Sequence, residues 1–190
     1  MKIAILGWGS LIWDPRDLPR EGCWQTGGPV LPVEFSRVSS DGRLTLVIDP
    51  TDGAEVRTLF VRSARSDLDD AICDLRCREG TSCSRIGCVD LVHTWTRSRG
   101  KSIAEIVQKW MQSPGFDAVV WTDLAPNFKD KTGKPFSVEA AIQYLEGLPK
   151  GQRRRAYEYV NNAPPEVDTP VRRRLRESGK LAAWESGNSL

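Results

Sequence analysis

In the first third of this chain the apolar positions fall at every second place or in short unbroken runs, and these are strand spacings. Lys2–Leu6 carries the run Ile3, Ala4, Ile5, Leu6, which predicts a buried strand. Val30–Val38 follows a turn-rich stretch containing Gly27, Gly28 and Pro29. Arg43–Ile48 sets Leu44, Leu46 and Ile48 against Arg43, Thr45 and Val47, and Asp41-Gly42 before it is a hairpin signal. Glu55–Val61, reached through Pro50-Thr51-Asp52-Gly53, alternates in the same way. Antiparallel pairing of these last three strands is the economical arrangement.

The period then changes. Ser66, with Asp69 three residues on, resembles a capping box, and Leu68, Ala71, Ile72 and Leu75 follow at helical spacing until Gly80 stops the helix. Ile86–Trp95 reads as a strand, and Ser102–Met111 as a capped helix with Ile103, Ile106, Val107 and Trp110 on one stripe. Phe116–Trp121 is short and very apolar, as a central strand would be. From Ser137 onward the pattern is helical, over 137–146, about 149–160 and 170–177, with a break at Asn161–Pro165 and a stop at Gly179. No internal repeat or long linker divides the chain. The expectation is therefore one α+β domain over 1–180, with a mixed, largely antiparallel sheet, a helical C-terminal third and an aperiodic, flexible tail at 181–190.

A chain of 190 residues buries a core without metals or disulfides. With 27% charged residues and a net charge of +2, nothing points to nucleic acid or to an anionic membrane as a partner. The arginine runs 153–155 and 172–174 fall on helical segments and read as solvated faces. Near the N-terminus, glycines interrupt the apolar run, and Asp14, Pro15 and Arg16 stand where a signal-peptide cleavage site would need small residues. No stretch reaches membrane-spanning length, so a cytoplasmic location is expected. The five cysteines, Cys23, Cys73, Cys77, Cys83 and Cys88, are an odd number for a disulfide framework and lack the paired knuckles of zinc sites. They are expected to be buried free thiols, with no metal bound.

Two features carry candidate chemistry. In Leu6-Gly7-Trp8-Gly9-Ser10-Leu11-Ile12-Trp13 a strand runs into a glycine–serine turn whose successive N–H groups can face a small anion or a carbonyl oxygen. A turn that only redirects the chain fits the same residues. The second feature is Glu79. One turn beyond Leu68, Ile72 and Leu75, it places a carboxylate at the inner end of an apolar stripe and in the last turn of a helix. Burial and the helix dipole both disfavour its charged form, the property a general base draws on. The plainer alternative is that Glu79 swings to solvent or pairs with Arg76 or Arg78.

Other residues are weaker candidates. His93, the single histidine, lies in a strand pattern without an evident acid or thiol partner and reads as a packed or surface residue. Ser10 has no histidine at a spacing that makes a nucleophilic pair. Asp67, Asp69 and Asp70 suit a helix start. The third glycine of a dinucleotide fingerprint is missing. Trp121–Phe128 can line a pocket or simply turn the chain.

Leu6–Trp13 resembles the G-Y-G-S-L-I-W opening of the gamma-glutamylcyclotransferase-like proteins, the ChaC branch included. Arg78-Glu79-Gly80 looks like the end of that family's helix after the early strands, whose terminal glutamate is catalytic. The resemblance covers roughly residues 1–125. It implies a sheet closing toward a small barrel flanked by helices. It also implies cofactor-independent cleavage of a small gamma-glutamyl compound: the α-amine attacks its own γ-carbonyl, giving 5-oxoproline and a free amine or amino acid. In that scheme Glu79 moves the proton, while the loop of Trp8, Gly9, Ser10 and Leu11 binds substrate, its amides holding a carboxylate or oxyanion. Two departures stand out. Trp8 replaces the usual tyrosine, and Thr81–Arg85 lacks the expected aromatic residue. A non-catalytic ligand- or protein-binding module on the same fold is the alternative.

Overall fold

The computed structural model describes residues 1–181, and the remainder of the expected tail, 182–190, lies outside them. Nine strands and six α-helices are found among the described residues, in an α+β arrangement with two sheets. The chain separates into two compact units, one formed by Met1–Leu31 with Arg57–Leu124, the other by Pro32–Val56 with the segment from Ala125 onward.

The first unit is built on a six-stranded sheet. Its strands are β1 (Ile3–Gly7), β2 (Arg20–Gln25), β6 (Leu59–Ser63), β7 (Ile86–Asp90), β8 (Trp95–Arg97) and β9 (Ala118–Thr122), in the order β2-β6-β1-β9-β7-β8. β1 runs parallel to β9, with Ile5 opposite Val120, and antiparallel to β6, with Ile5 opposite Val61. Every residue of β1 and β7 is buried, as expected of strands covered on both faces. Helix α1 (Leu68–Glu79) lays Leu68, Ala71, Ile72 and Leu75 on Ile3, Ile5, Ile86, Cys88 and Val120. Helix α2 (Lys101–Met111) packs against β7 and β9. Of its expected stripe, Ile103 and Val107 are buried, but Ile106 is 38% exposed. β9 is central, as its composition predicts.

The sheet is open, so the expected closure toward a barrel is not found. Its edges explain this. β2 carries Gly22 at φ 76° and a register shift against β6, while β8 is three residues long and mostly exposed. Neither edge offers a regular ladder for another strand.

Apart from Val30, Leu31 and Arg57 at the strand ends, the second unit holds the three-stranded sheet β4-β3-β5, from β3 (Val30–Val38), β4 (Leu44–Ile48) and β5 (Ala54–Arg57). β3 and β4 pair antiparallel across the predicted Asp41-Gly42 turn, with Val33 opposite Ile48 and Val38 opposite Leu44. The helices α3 (Phe128–Thr132), α4 (Val138–Gly147), α5 (Lys150–Asn162) and α6 (Pro170–Glu177) complete the unit. Residues 125–127 run along β3. The Asn127 side chain accepts from the Val38 N–H and donates to the Val38 carbonyl, and Arg37 reaches the Ala125 carbonyl.

Several local expectations are corrected. The strand expected over 55–61 is split at Thr58, whose N–H and hydroxyl both donate to the Pro29 carbonyl while its own carbonyl accepts from Gly28. The strand expected over 86–95 ends at Asp90. There the carboxylate accepts from the Val92 and His93 amides and turns the chain before β8. Helix α1 is capped by Asp67 rather than Ser66, its carboxylate accepting from the Asp69 and Asp70 amides. Arg172 is buried, not solvated: it donates to the carbonyls of Asn161, Ala163, Pro164 and Val167, closing the break before α6. Four cysteines, Cys23, Cys73, Cys77 and Cys83, are exposed, and only Cys88 is buried. No helix among the described residues is long and apolar enough to cross a membrane.

Candidate active site

β1 delivers the glycine–serine loop. At its end Gly7 lies against Trp24, where an added Cβ would stand 2.8 Å from the indole ring and 3.2 Å from Ile12. Close packing, not a left-handed backbone, is what demands glycine there. Beyond it the chain turns twice, with the Ile12 N–H donating to the Gly9 carbonyl at 3.0 Å and the Asp14 N–H to the Ser10 carbonyl at 2.8 Å. Trp8 and Leu11 are buried, and Leu11 joins the core beneath α1. Ser10 is half-buried. Among the described residues none accepts from the Gly9, Ser10 or Leu11 amides, so these three N–H groups retain their donor capacity.

α1 delivers Glu79, and its end is fixed by backbone bonds. Gly80 adopts φ 60°, ψ 41°, its N–H donates to the Cys77 carbonyl, and the Thr81 N–H donates to the Arg76 carbonyl. Such paired closures end a helix at a defined residue, which here is Glu79. The apolar stripe continues onto two positions instead of one. Arg78 is 6% exposed at its side chain and Glu79 15%.

Arg78 ties the two elements together. Its Nη1 donates to Glu79 Oε1 at 2.6 Å and its Nη2 to Ser10 Oγ at 3.2 Å. Nε and Nη2 also reach the Asp14 carbonyl, at 3.2 Å and 2.6 Å. From the far side Arg16, at φ 51°, donates to the Arg78 carbonyl. The carboxylate therefore has a counter-charge in contact with it, and the planar guanidinium holds carboxylate, hydroxyl and loop carbonyl in one arrangement. Of the residues expected to act, Glu79 and Ser10 are bridged by this one side chain, and Gly9 and Leu11 flank Ser10.

The sequence pattern assigns Arg78 no role beyond a possible partner for Glu79. Its signal was present in the spacing, because position 78 lies three beyond Leu75 and seven beyond Ala71, on the buried side. A charged residue there needs partners inside.

Compared with protein-family models and with curated proteins, the chain matches none. Among the described residues, none of the remaining candidates bonds to Arg78, Glu79 or Ser10. The His93 ring, 70% exposed, bonds through Nδ1 to Asp90, which is 4% exposed, at 2.7 Å. Burial alone would raise the Asp90 carboxyl, but the hydrogen bonds from His93 and Val92 outweigh it and hold it below its usual range. Asp90 is thus the acid partner of His93, and the pair belongs to a turn. Among the described residues, no group of three or more His, Cys, Asp or Glu side chains converges to hold a metal ion.

Proposed function

We propose that this protein is a gamma-glutamyl cyclotransferase-type enzyme acting in the cytoplasm on a small gamma-glutamyl compound. The observation that carries the reading is the Arg78 bridge, which brings the Glu79 carboxylate and the Ser10 loop to the same guanidinium. In the proposed reaction the substrate's α-amine adds to its own γ-carbonyl carbon and the bond to the leaving nitrogen breaks. 5-Oxoproline forms as the amine is released. Glu79 takes the proton from the attacking amine and returns it to the leaving nitrogen. Arg78 occupies Oε1, so Oε2 is the oxygen assigned to that transfer. The Gly9, Ser10 and Leu11 amides stabilise the oxyanion of the tetrahedral intermediate or hold the substrate carboxylate. A site that folds the substrate onto itself supplies the remaining advantage, since ring closure is unimolecular.

The same ion pair favours a second reading. A carboxylate bonded at 2.6 Å to a buried arginine is also a structural clamp between helix and loop, as a non-catalytic binding module would use. Incubation with a panel of gamma-glutamyl amines and peptides, followed for 5-oxoproline, separates the two. Wild-type turnover lost in Glu79→Gln and partly kept in Glu79→Asp supports the enzyme. Turnover unchanged in Glu79→Gln removes the proposed mechanism, and compounds that bind without product across the panel favour the module.

A further inference from the structure

Helix α1 carries a second cluster of reactive side chains on its outer face. Cys73 and Cys77 are exposed and one helical turn apart, with Arg76 between them in sequence. A single nitrogen of that arginine, Nη2, lies 3.1 Å from Cys77 Sγ and 3.7 Å from Cys73 Sγ. The two sulfurs are therefore no farther apart than those two distances laid end to end. None of these residues belongs to the core stripe or to the Arg78 bridge.

The span between the thiols selects what can join them. Residues one turn apart on a helix keep their Cβ atoms about 5–6 Å apart, whereas a disulfide wants them at about 3.5–4.5 Å. Direct closure would distort the helix. An inserted ion with metal–sulfur bonds near 2.3 Å bridges the wider gap without that cost. Zinc is a poor occupant because its structural sites take four ligands and, among the described residues, no third donor converges on the pair. Soft monovalent Cu(I) prefers thiolates. Charge points the same way: one monovalent cation on two thiolates leaves a net negative complex, and Arg76 supplies the compensating positive charge in contact with both sulfurs.

We propose that Cys73 and Cys77 form a two-thiolate site for a soft monovalent ion of the Cu(I) class, with Arg76 as its counter-ion. Binding displaces the two thiol protons to solvent and changes no oxidation state. The inference is independent of the cyclotransferase reading. Cys83 sits in the short 3-10 turn Cys83–Arg85 packed against α1, and it is assigned no bond to the ion.

The test is anaerobic titration of the whole protein with Cu(I) against a competing chromogenic chelator, with stoichiometry read by native mass spectrometry. Wild type is expected to bind one ion per chain. Cys73→Ser and Cys77→Ser should each abolish that tight stoichiometric binding, and Cys23→Ser and Cys83→Ser should retain it. Arg76→Gln should keep the stoichiometry but weaken affinity about five- to tenfold, the scale of one exposed charge contact. Binding that survives in both Cys73→Ser and Cys77→Ser, or that is lost in Cys83→Ser or Cys23→Ser, overturns the assignment. All four cysteines are exposed, so the serine variants leave the core untouched.

Discussion

Arg78 donates from Nη2 to Ser10 Oγ at 3.2 Å, a contact made across 68 positions of sequence. The same guanidinium holds Glu79, the next residue in the chain, at 2.6 Å. Neighbours on a helix normally point about 100° apart. Here the helix ends at Glu79, and the two nearly buried side chains meet in one ion pair. The loop and the helix terminus are thereby registered through one rigid planar group, in addition to backbone packing.

Removing that group should loosen both elements together. Lysine keeps the charge but cannot present a fork to Glu79, Ser10 and the Asp14 carbonyl at once. Arg78→Lys is expected to lower stability by about 1–2 kcal/mol, and Arg78→Met by about 3 kcal/mol, since it leaves a nearly buried carboxylate without its cation. Urea denaturation measures both. Combining Arg78→Met with Ser10→Ala should cost less than the sum of the two single changes. Strict additivity, or a methionine variant as stable as wild type, would show that the fork couples nothing.

β7 and β9 meet through a second close contact, between Gly87 and Trp121, which face each other in the ladder. A Cβ on Gly87 would stand 2.2 Å from the Trp121 ring, and the tryptophan is fully buried. Gly87→Ala should therefore destabilise the protein by about 3 kcal/mol through overpacking. Trp121→Phe in the same chain, by shrinking the ring, should restore part of the loss. Thermal melts of the two single variants and the double variant decide it, and a Gly87→Ala protein that melts with wild type sinks the account.

What the sequence made legible follows from how local each signal is. The Asp41-Gly42 hairpin, the α1 stripe, the Gly80 stop and the helix over 170–177 depend on neighbouring residues, and all four are found. Thr58 breaks a strand because of its bonds to Gly28 and Pro29, distant partners that alternation does not reveal. β2 has no apolar period to announce it, because its residues are mostly exposed at a sheet edge. Arg172 looked like one of three solvated arginines, and only the path of residues 161–167 makes it a buried donor to four carbonyls. At the candidate site, Glu79 and Ser10 were legible as residues, but their joint bond to Arg78 is long-range and was not.

Glu34 makes the stability of the second unit depend on pH. Its carboxylate is fully buried in β3, accepting from the Phe35 N–H at 2.7 Å and the Val171 N–H at 3.3 Å. Burial pushes its pKa from 4.5 up to about 7, against the opposing pull of bonds from Thr169, Phe35 and Val171, and with a smaller push from the charge of Asp49. Between those two pH values the unfolded chain has released the proton that the folded chain still holds. Folding is therefore favoured by protonation: the contribution is complete below pH 4.5 and fades as pH rises to about 7. The total is on the order of 3 kcal/mol. Glutamine has the shape of the protonated acid and cannot titrate. Denaturant midpoints measured from pH 4.5 to 8 should fall with rising pH in wild type and run flatter in Glu34→Gln, with the variant matching or exceeding wild type above pH 7. The same slope in both proteins would assign the pH dependence to other groups.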